Sequence, residues 1–264
     1  MTATYLETIV DAHRARAAQD HRAWRGRLGE VVYDGPSFYD ALVRDPSRVA
    51  VIAEIKRRSP SKGWLNDELD VVGTARHYET GGAAAISVLT DEDFFSGSVA
   101  DLQAVGQAVS LPLLRKDFTV SANDVIDAAH MGAAAVLLIV AALSDAELEE
   151  FLMVASACHL DALVEVHDDH EARRALAAGA RIVGVNQRDL RTFEVDPRRA
   201  AAVVTALPST VLAVAESGLA SVEDVARVAE AGVDAVLVGE TFIRAASPEG
   251  LVHDFSSVGR HARD

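Results

Sequence analysis

The feature that most constrains the fold is a series of short apolar runs that recurs along the chain. Several of the runs lack polar alternation, which is typical of strands buried on both faces of a parallel sheet. Amphipathic stretches long enough for crossover helices separate them, for example 122–130, 144–157, 170–178 and 221–231. Eight runs can be placed, at residues 49–55, 84–89, 112–115, 134–140, 162–166, 181–185, 211–215 and 234–238.

Glycine pairs lead into several of these runs at a regular interval of about 50 residues, which equals two strand-and-helix units. A glycine at such a position suits the left-handed cap that ends a helix before the next strand. Eight strand-and-helix units without a Gly-x-Gly-x-x-Gly sequence favour a closed (β/α)8 TIM barrel over its main competitor, a doubly wound sheet. The pairs are Gly82-Ala83, Gly132-Ala133, Gly179-Ala180 and Gly232-Val233.

The length fits one barrel, because such barrels commonly run to about 250 residues as a single unit. We therefore predict a single domain over residues 1–264, in which residues 1–48 form an N-terminal helical extension. The extension holds an amphipathic segment at 4–16 and a second one after Pro36-Ser37. The sequence leaves open whether these added helices cover the bottom of the barrel or lean over its mouth.

Composition excludes several classes of function. Half of the residues are hydrophobic and a quarter are charged, which predicts a large core rather than disorder. The net charge of −15 argues against nucleic acid or anionic lipid as a partner, because a polyanion requires a dense basic face. No apolar run approaches the roughly 18 residues of a membrane helix, and the charged N-terminus lacks a signal-peptide core. We expect a cytoplasmic protein, as a monomer or a weak homo-oligomer.

Metal binding is not expected either. The single cysteine, Cys158, excludes an intramolecular disulfide and a cysteine cluster for zinc, as in a reducing compartment. The nine histidines show no HExxH or HxH spacing and are interpreted as surface or packing residues.

Charged residues follow the predicted strands, at the rim where barrels place their active sites. Glu54 and Lys56 alternate with period two, so both point into the barrel. Charges there cost several kcal/mol unless they are paired, so two lysines and three glutamates predict mutual compensation around a substrate, with solvent-exposed rim charges as the alternative. The rim further includes Lys116, Asp117, Glu165, Asn186, Arg188, Glu216, Ser217 and Gly239.

Lysine usage points to the same rim. Of 25 basic residues, Lys56, Lys62 and Lys116 are the only lysines. So strong a bias to arginine suggests that lysine persists where a compact ammonium must fit or lose its proton. Accident of composition is the alternative, and Lys62 is the weakest candidate because its surroundings read as an exposed loop.

A phosphate site is predicted after the last two strands, at Glu216-Ser217-Gly218 and Val238-Gly239-Glu240. Many barrels hold phosphate there through backbone N–H groups, and glycine lets the backbone approach the anion. Tight turns at Gly218 and Gly239 are the alternative. The expected partner is a small phosphorylated molecule.

Taken together, the motifs resemble those of the indole-3-glycerol phosphate synthase family, from about residue 36 to residue 242. The first-strand signature of that family is similar to residues 54–63, and its second to Ser87-Val88-Leu89-Thr90 with 94–98. Further similar motifs are Leu114-Arg115-Lys116-Asp117-Phe118, Leu163-Val164-Glu165-Val166, 184–190, Ala215-Glu216-Ser217-Gly218 and Leu237-Val238-Gly239-Glu240.

The resemblance implies a lyase of tryptophan biosynthesis that converts 1-(2-carboxyphenylamino)-1-deoxyribulose 5-phosphate into indole-3-glycerol phosphate, carbon dioxide and water, without a cofactor or metal. By position, Lys116 resembles the general acid of ring closure and Glu165 its acid-base partner. Lys56 resembles the residue that meets the carboxylate or phosphate of the substrate. The other residues implied as catalytic are Glu54, Asn186 and Glu216, which resemble the polar shell around the substrate.

The residues that resemble substrate contacts fall into three groups. Ser59 resembles a contact on the carboxylate side, Phe94 and Phe118 resemble an apolar wall for the benzene ring, and the phosphate cradle is similar to Ser217, Gly218 and Gly239. Arg188, Leu237 and Glu240 complete the expected substrate-binding set, although only the N–H of Glu240 suits a phosphate. Trp64 departs from the family pattern, because smaller residues are common at that loop position.

Two other functions remain open from the sequence. A related barrel such as phosphoribosylanthranilate isomerase would use a cysteine and an aspartate as base and acid, but Cys158 falls in a predicted helix. The other is a barrel that has lost its activity and serves as a binding or regulatory partner. Such a barrel is expected to lose its catalytic charges first, and here the sequence retains them.

Overall fold

A computed structural model describes residues 4–59, 62–189 and 192–263. Residues 1–3 and 264 of the predicted domain lie outside the described residues, as do Pro60, Ser61 and Leu190 of the motifs. Within the described ranges, no helix is long and apolar enough to cross a membrane.

Eight parallel strands close into a barrel in which each strand pairs with the next and the first pairs with the last. The strands are β1 Ala50–Ile55, β2 Ala85–Leu89, β3 Leu113–Lys116, β4 Ala135–Ile139, β5 Asp161–Val166, β6 Ile182–Asn186, β7 Leu212–Glu216 and β8 Ala235–Val238. The TIM barrel prediction is confirmed, and the predicted and observed strand ends differ by at most one residue.

Helices connect the strands and cover the outside of the barrel, and further helices precede the first strand and follow the last. They are α1 Tyr5–Ala17, α2 Trp24–Arg27, α3 Phe38–Val43, α4 Val71–Thr80, α5 Val99–Ala108, α6 Ala122–Met131, α7 Asp145–Ala157, α8 Asp169–Ala177, α9 Arg199–Val204, α10 Val222–Glu230, α11 Glu240–Ile243 and α12 Pro248–Ser256.

Local signals explain where the helices begin and end. Ser144 and Ser221 accept the N–H groups of Glu147 and Asp224, whose side chains bond back to the cap backbone. The four glycines that precede strands have φ values of 88–92°, a left-handed conformation that costs glycine little.

The core has two layers, one inside the barrel and one between the strands and the helices. Along β1, Ile52 belongs to the inner layer, whereas Val51 and Ala53 pack outward. The side chains of Phe38 and Leu42 in α3 are fully buried against the inner layer, so α3 closes the bottom of the barrel. Helix α1 lies at the opposite end, over the mouth.

Candidate active site

A cavity of about 600 Å³ opens at the carboxyl ends of the strands. Its floor is formed by inner-layer residues such as Leu137 and Leu237, and Tyr5, Leu6 and Ile9 of α1 form part of its wall. A concave, mostly apolar cavity with a few converging polar groups is the usual form of a small-molecule site.

The charged side chains at the strand ends meet in this cavity. The Nζ of Lys116 lies 3.6 Å from Oε2 of Glu165 and 3.9 Å from Oε2 of Glu216. Lys56 forms an ion pair with Glu54 on the neighbouring side. The three glutamates are 2–4% exposed, so the alternative of solvated rim charges does not hold for them.

The carboxyl groups and the ammonium groups set one another's protonation. Burial lowers the pKa of Lys116, but the carboxylates of Glu165, Glu216 and Glu54 outweigh it and the net pKa is raised. Burial raises the pKa of Glu54, yet Lys56 and Lys116 bring it below its usual value. For Glu216, burial and the charge of Glu165 raise the pKa to about 8, against the opposing charge of Lys116. The cluster is thus close to neutral when it holds one proton on Glu216.

Asn186, at the end of β6, fixes the position of Glu165. Its Nδ2 donates to Oε1 of Glu165 at 3.1 Å. Its Oδ1 accepts from the Ser217 hydroxyl at 2.8 Å and from the Arg188 backbone N–H at 3.0 Å. Because all of these partners are distinct, the amide cannot rotate without losing hydrogen bonds.

The first of the two predicted phosphate turns has a left-handed backbone conformation, which glycine adopts more readily than other residues. Ser217 and Gly218 both have a positive φ, of 67° and 72°. A Cβ atom at Gly218 would collide with Val195, and one at Gly239 would collide with the Glu54 carboxylate. Glycine is therefore needed for close packing at both turns, which also keeps the backbone open toward the cavity.

One of the two predicted aromatic residues lines the cavity. The ring of Phe118 does so together with Phe95, and their centroids are 6.0 Å apart. Phe94 is not among the described lining residues, and its ring packs edge-on against Tyr5 at 6.0 Å. Two adjacent phenylalanines in an irregular loop carry no periodicity, so the sequence offers no signal to choose between them.

Of the remaining positions singled out in the sequence, Trp64 and Cys158 lie outside the described lining and the others line the cavity. Trp64 is 56% exposed in a short antiparallel ladder with Arg58, outside the described lining. Cys158 is buried in the outer core directly after α7, also away from the described lining, where it cannot serve as the base of an isomerase. The lining does include Ser59, Lys62, Arg188, Ser217, Gly218, Leu237, Gly239 and Glu240.

His13 makes polar contacts that its interpretation as a surface or packing residue did not predict. Its Nε2 lies 2.9 Å from Asp91 and 3.8 Å from Asp117, and ligand atoms of the three residues lie within 4.8 Å of one another. Asp91 also accepts two backbone N–H groups, and Asp117 is bonded to Arg115. Through these contacts the three residues link α1 to the loops after β2 and β3.

Known proteins resemble this chain over nearly its whole length. The family model described as indole-3-glycerol phosphate synthase matches residues 6–255. Indole-3-glycerol phosphate synthase of Micrococcus luteus is 46% identical over 265 residues, covering 98% of this chain and 99% of the relative. The synthase of a Parafrankia species is 48% identical over 259 residues, covering 97% and 96%.

Among solved structures, the thiamine phosphate pyrophosphorylase of Pyrococcus furiosus matches with a TM-score of 0.59 at 17% identity, covering 78% of this chain and 93% of that one. So distant a likeness shows the barrel fold alone. The family match and the close relatives span nearly the whole chain. The chain belongs to the indole-3-glycerol phosphate synthase family.

Proposed function

We propose that this chain closes the indole ring of 1-(2-carboxyphenylamino)-1-deoxyribulose 5-phosphate and releases indole-3-glycerol phosphate, carbon dioxide and water. The observation that carries the proposal is the approach of Lys116 and Glu165 to 3.6 Å at the centre of the cavity. Ring closure onto a carbonyl needs an acid, and loss of water needs an acid and a base. One pair of side chains supplies both.

Lys116 is the general acid in this scheme. Its raised pKa means that it arrives protonated, ready to donate to the ketone oxygen as the new bond forms. Glu165 is the acid-base partner, and Asn186 holds its carboxylate in place. Both lie on strands rather than on loops, which limits the error in their position.

The other polar residues bind and orient the substrate. Lys56, held by Glu54, meets the carboxylate or the phosphate, while Ser59 and Arg188 face the carboxylate side. Glu216 completes the polar shell next to the reacting atoms. Carbon dioxide leaves readily once the ring has lost its aromaticity, so orientation and desolvation of the carboxylate suffice.

The two ends of the substrate differ in chemistry, and so do the two sides of the cavity. Backbone N–H groups at Ser217, Gly218, Gly239 and Glu240 form the proposed phosphate cradle. Phe118, on the other side, forms the apolar wall for the benzene ring; Phe95 takes the place proposed for Phe94, because it lines the cavity.

Substitutions at the central pair test the proposal. Lys116→Met and Glu165→Gln are expected to fold normally and to lose turnover by about 100-fold or more, as measured by indole fluorescence developing from the substrate. Lys116→Arg should fail as well, because the larger, planar guanidinium cannot take the place of the compact ammonium between Glu165 and Glu216. The exposed Glu149→Gln serves as the matched carboxylate control. Rates near wild type in either central variant would reject these roles.

A further inference from the structure

His167 is the first residue after β5, and its ring lies beside the carboxylate of Glu165. Its Nε2 is 3.7 Å from Oε1 of Glu165, the carboxylate oxygen that also accepts from Asn186. That nitrogen is buried and has no hydrogen-bond partner among the described residues. His167 is not among the described lining residues of the cavity, so it acts on substrate indirectly, and Glu165 is a lining residue that its ring approaches.

The orientation of the ring is fixed by Glu171. Oε2 of Glu171 accepts the backbone N–H of His167 at 2.7 Å and lies 3.0 Å from the ring Nδ1. Glu171 is itself fixed in the first turn of α8, where its N–H donates to the cap residue Asp168 at 2.8 Å. Because a carboxylate only accepts, Nδ1 carries a proton and Nε2 remains as the nitrogen that titrates.

We propose that His167 is a positioning residue for the reaction, whose imidazolium form keeps Glu165 ionised and aimed into the cavity. The inference rests on the proposed function, in which Glu165 is the acid-base group. Glu165 needs such support because Glu165 and Glu216 lie against the same ammonium of Lys116, and one positive charge keeps only one of two buried carboxyl groups ionised. A second positive charge, beside the other carboxylate oxygen of Glu165, favours its ionised form.

The charged groups around the ring support an imidazolium. Burial lowers the pKa of His167, but the bond to Glu171 and the charges of Glu165 and Glu171 outweigh it, so the net pKa is raised. Arg199 is the opposing charge, and it lies beside the backbone oxygen of Asn186. The separation of 3.7 Å is longer than a hydrogen bond, and a small movement of the carboxylate on substrate binding closes it.

Two substitutions separate the two sides of the ring. The amide nitrogen of asparagine falls near Nδ1, so His167→Asn keeps a donor for Glu171 and loses the one that faces Glu165. The amide of glutamine falls near Nε2, so His167→Gln keeps a neutral donor toward Glu165. The exposed His170→Asn on α8 is the matched control. Thermal unfolding of each variant shows whether the fold is retained.

The expected result is a split between the variants. His167→Asn should lower kcat about tenfold with KM within twofold, and His167→Gln should lower it less. In both, the acidic limb of the kcat profile should move up by about one pH unit, because the positive charge that favours the ionised form of Glu165 is gone. A limb that stays in place in both variants overturns the proposal, even if kcat falls.

A second measurement does not depend on turnover. The imidazole titration of His167, followed by NMR, should move to lower pH in Glu165→Gln than in the wild type, because the neighbouring negative charge is gone. An unchanged titration overturns the inference about His167. Absence of product from the wild type would instead overturn the proposed function, so the two failures are distinguishable.

Discussion

Glu216 illustrates how a single buried carboxyl group links catalysis to stability. It is 2% exposed, and burial together with the charge of Glu165 raises its pKa to about 8 from an ordinary value of 4.5. A group whose pKa is raised on folding contributes stability at low pH, and that contribution is lost as pH rises toward the folded pKa. For Glu216 the loss falls between about pH 4.5 and pH 8.

Replacement of Glu216 by Gln should remove this pH dependence. The thermal midpoint of Glu216→Gln should exceed that of the wild type by a margin that grows across the same pH range, to about 10 °C at pH 8 and above. Thermal unfolding at a series of pH values measures the margin, with the exposed Glu230→Gln as control. Parallel curves for wild type and Glu216→Gln would contradict the raised pKa.

The sequence alone predicts site residues whose type is unusual for their position. It misses residues whose role depends on their contacts in the folded chain. Glu54, Glu165 and Glu216 stand out because carboxylates follow apolar strands. His167 gives no such signal, since a histidine at a strand end is ordinary until its distance to Glu165 is known. Phe94 and Phe95 differ only in which way the loop turns.

Among the helices, α1 is the one whose position over the mouth of the barrel the sequence least determines. Its amphipathic pattern requires one buried face but does not say against what, and the same holds for α3. The structure resolves the matter by contacts over long separations in the chain. Arg14 donates to Glu147 at 2.8 Å and to the Ala142 carbonyl at 2.9 Å, while His13 reaches Asp91. These bonds hold α1 across the mouth.

Loosening α1 should affect substrate binding more than chemistry. Arg14→Met removes the bonds to Glu147 and Ala142 while keeping an unbranched side chain. We expect KM to rise about three- to tenfold and kcat to stay within about threefold, because Tyr5 and Leu6 of α1 line the cavity, whereas the acid-base pair lies on β3 and β5. Steady-state kinetics measure both constants, and the exposed Arg25→Met is the control. An unchanged KM would show that α1 is dispensable for binding.

The strands could be predicted from the sequence for a physical reason. Strands buried on both faces read as uninterrupted apolar runs, and left-handed glycines such as Gly132 and Gly179 bound the units. Side-chain periodicity then fixes which residues face inward, as for Ile52 and Glu54.

For the molecule as a whole, a buried charge cluster around Asp234 lies at the end of the barrel opposite the active site. Asp234 precedes β8 at the bottom and is 2% exposed. It accepts from the Ala213 N–H at 2.7 Å and from Arg263 at 2.9 Å, and it pairs with Arg260. These contacts fasten the end of the chain beneath the last two strands.

Asp234→Asn should therefore destabilise the protein without altering its chemistry. Two arginines lose their countercharge in a buried setting, which we expect to cost about 2–4 kcal/mol of the free energy of unfolding. Denaturant unfolding measures this cost, and kcat per folded molecule should remain at the wild-type value. The exposed Asp254→Asn is the control. A fall in kcat at a temperature where the variant is fully folded would contradict the separation.

The pairing of β1 with β8, in which Ile52 lies opposite Leu237, has a consequence for biosynthesis. A nascent chain that has emerged only as far as the seventh strand leaves two unpaired sheet edges, and such edges invite association with other chains. Glu54 and Gly239 become neighbours only when the last strand arrives. The cavity thus forms in one late event of synthesis, when the ring of strands is completed.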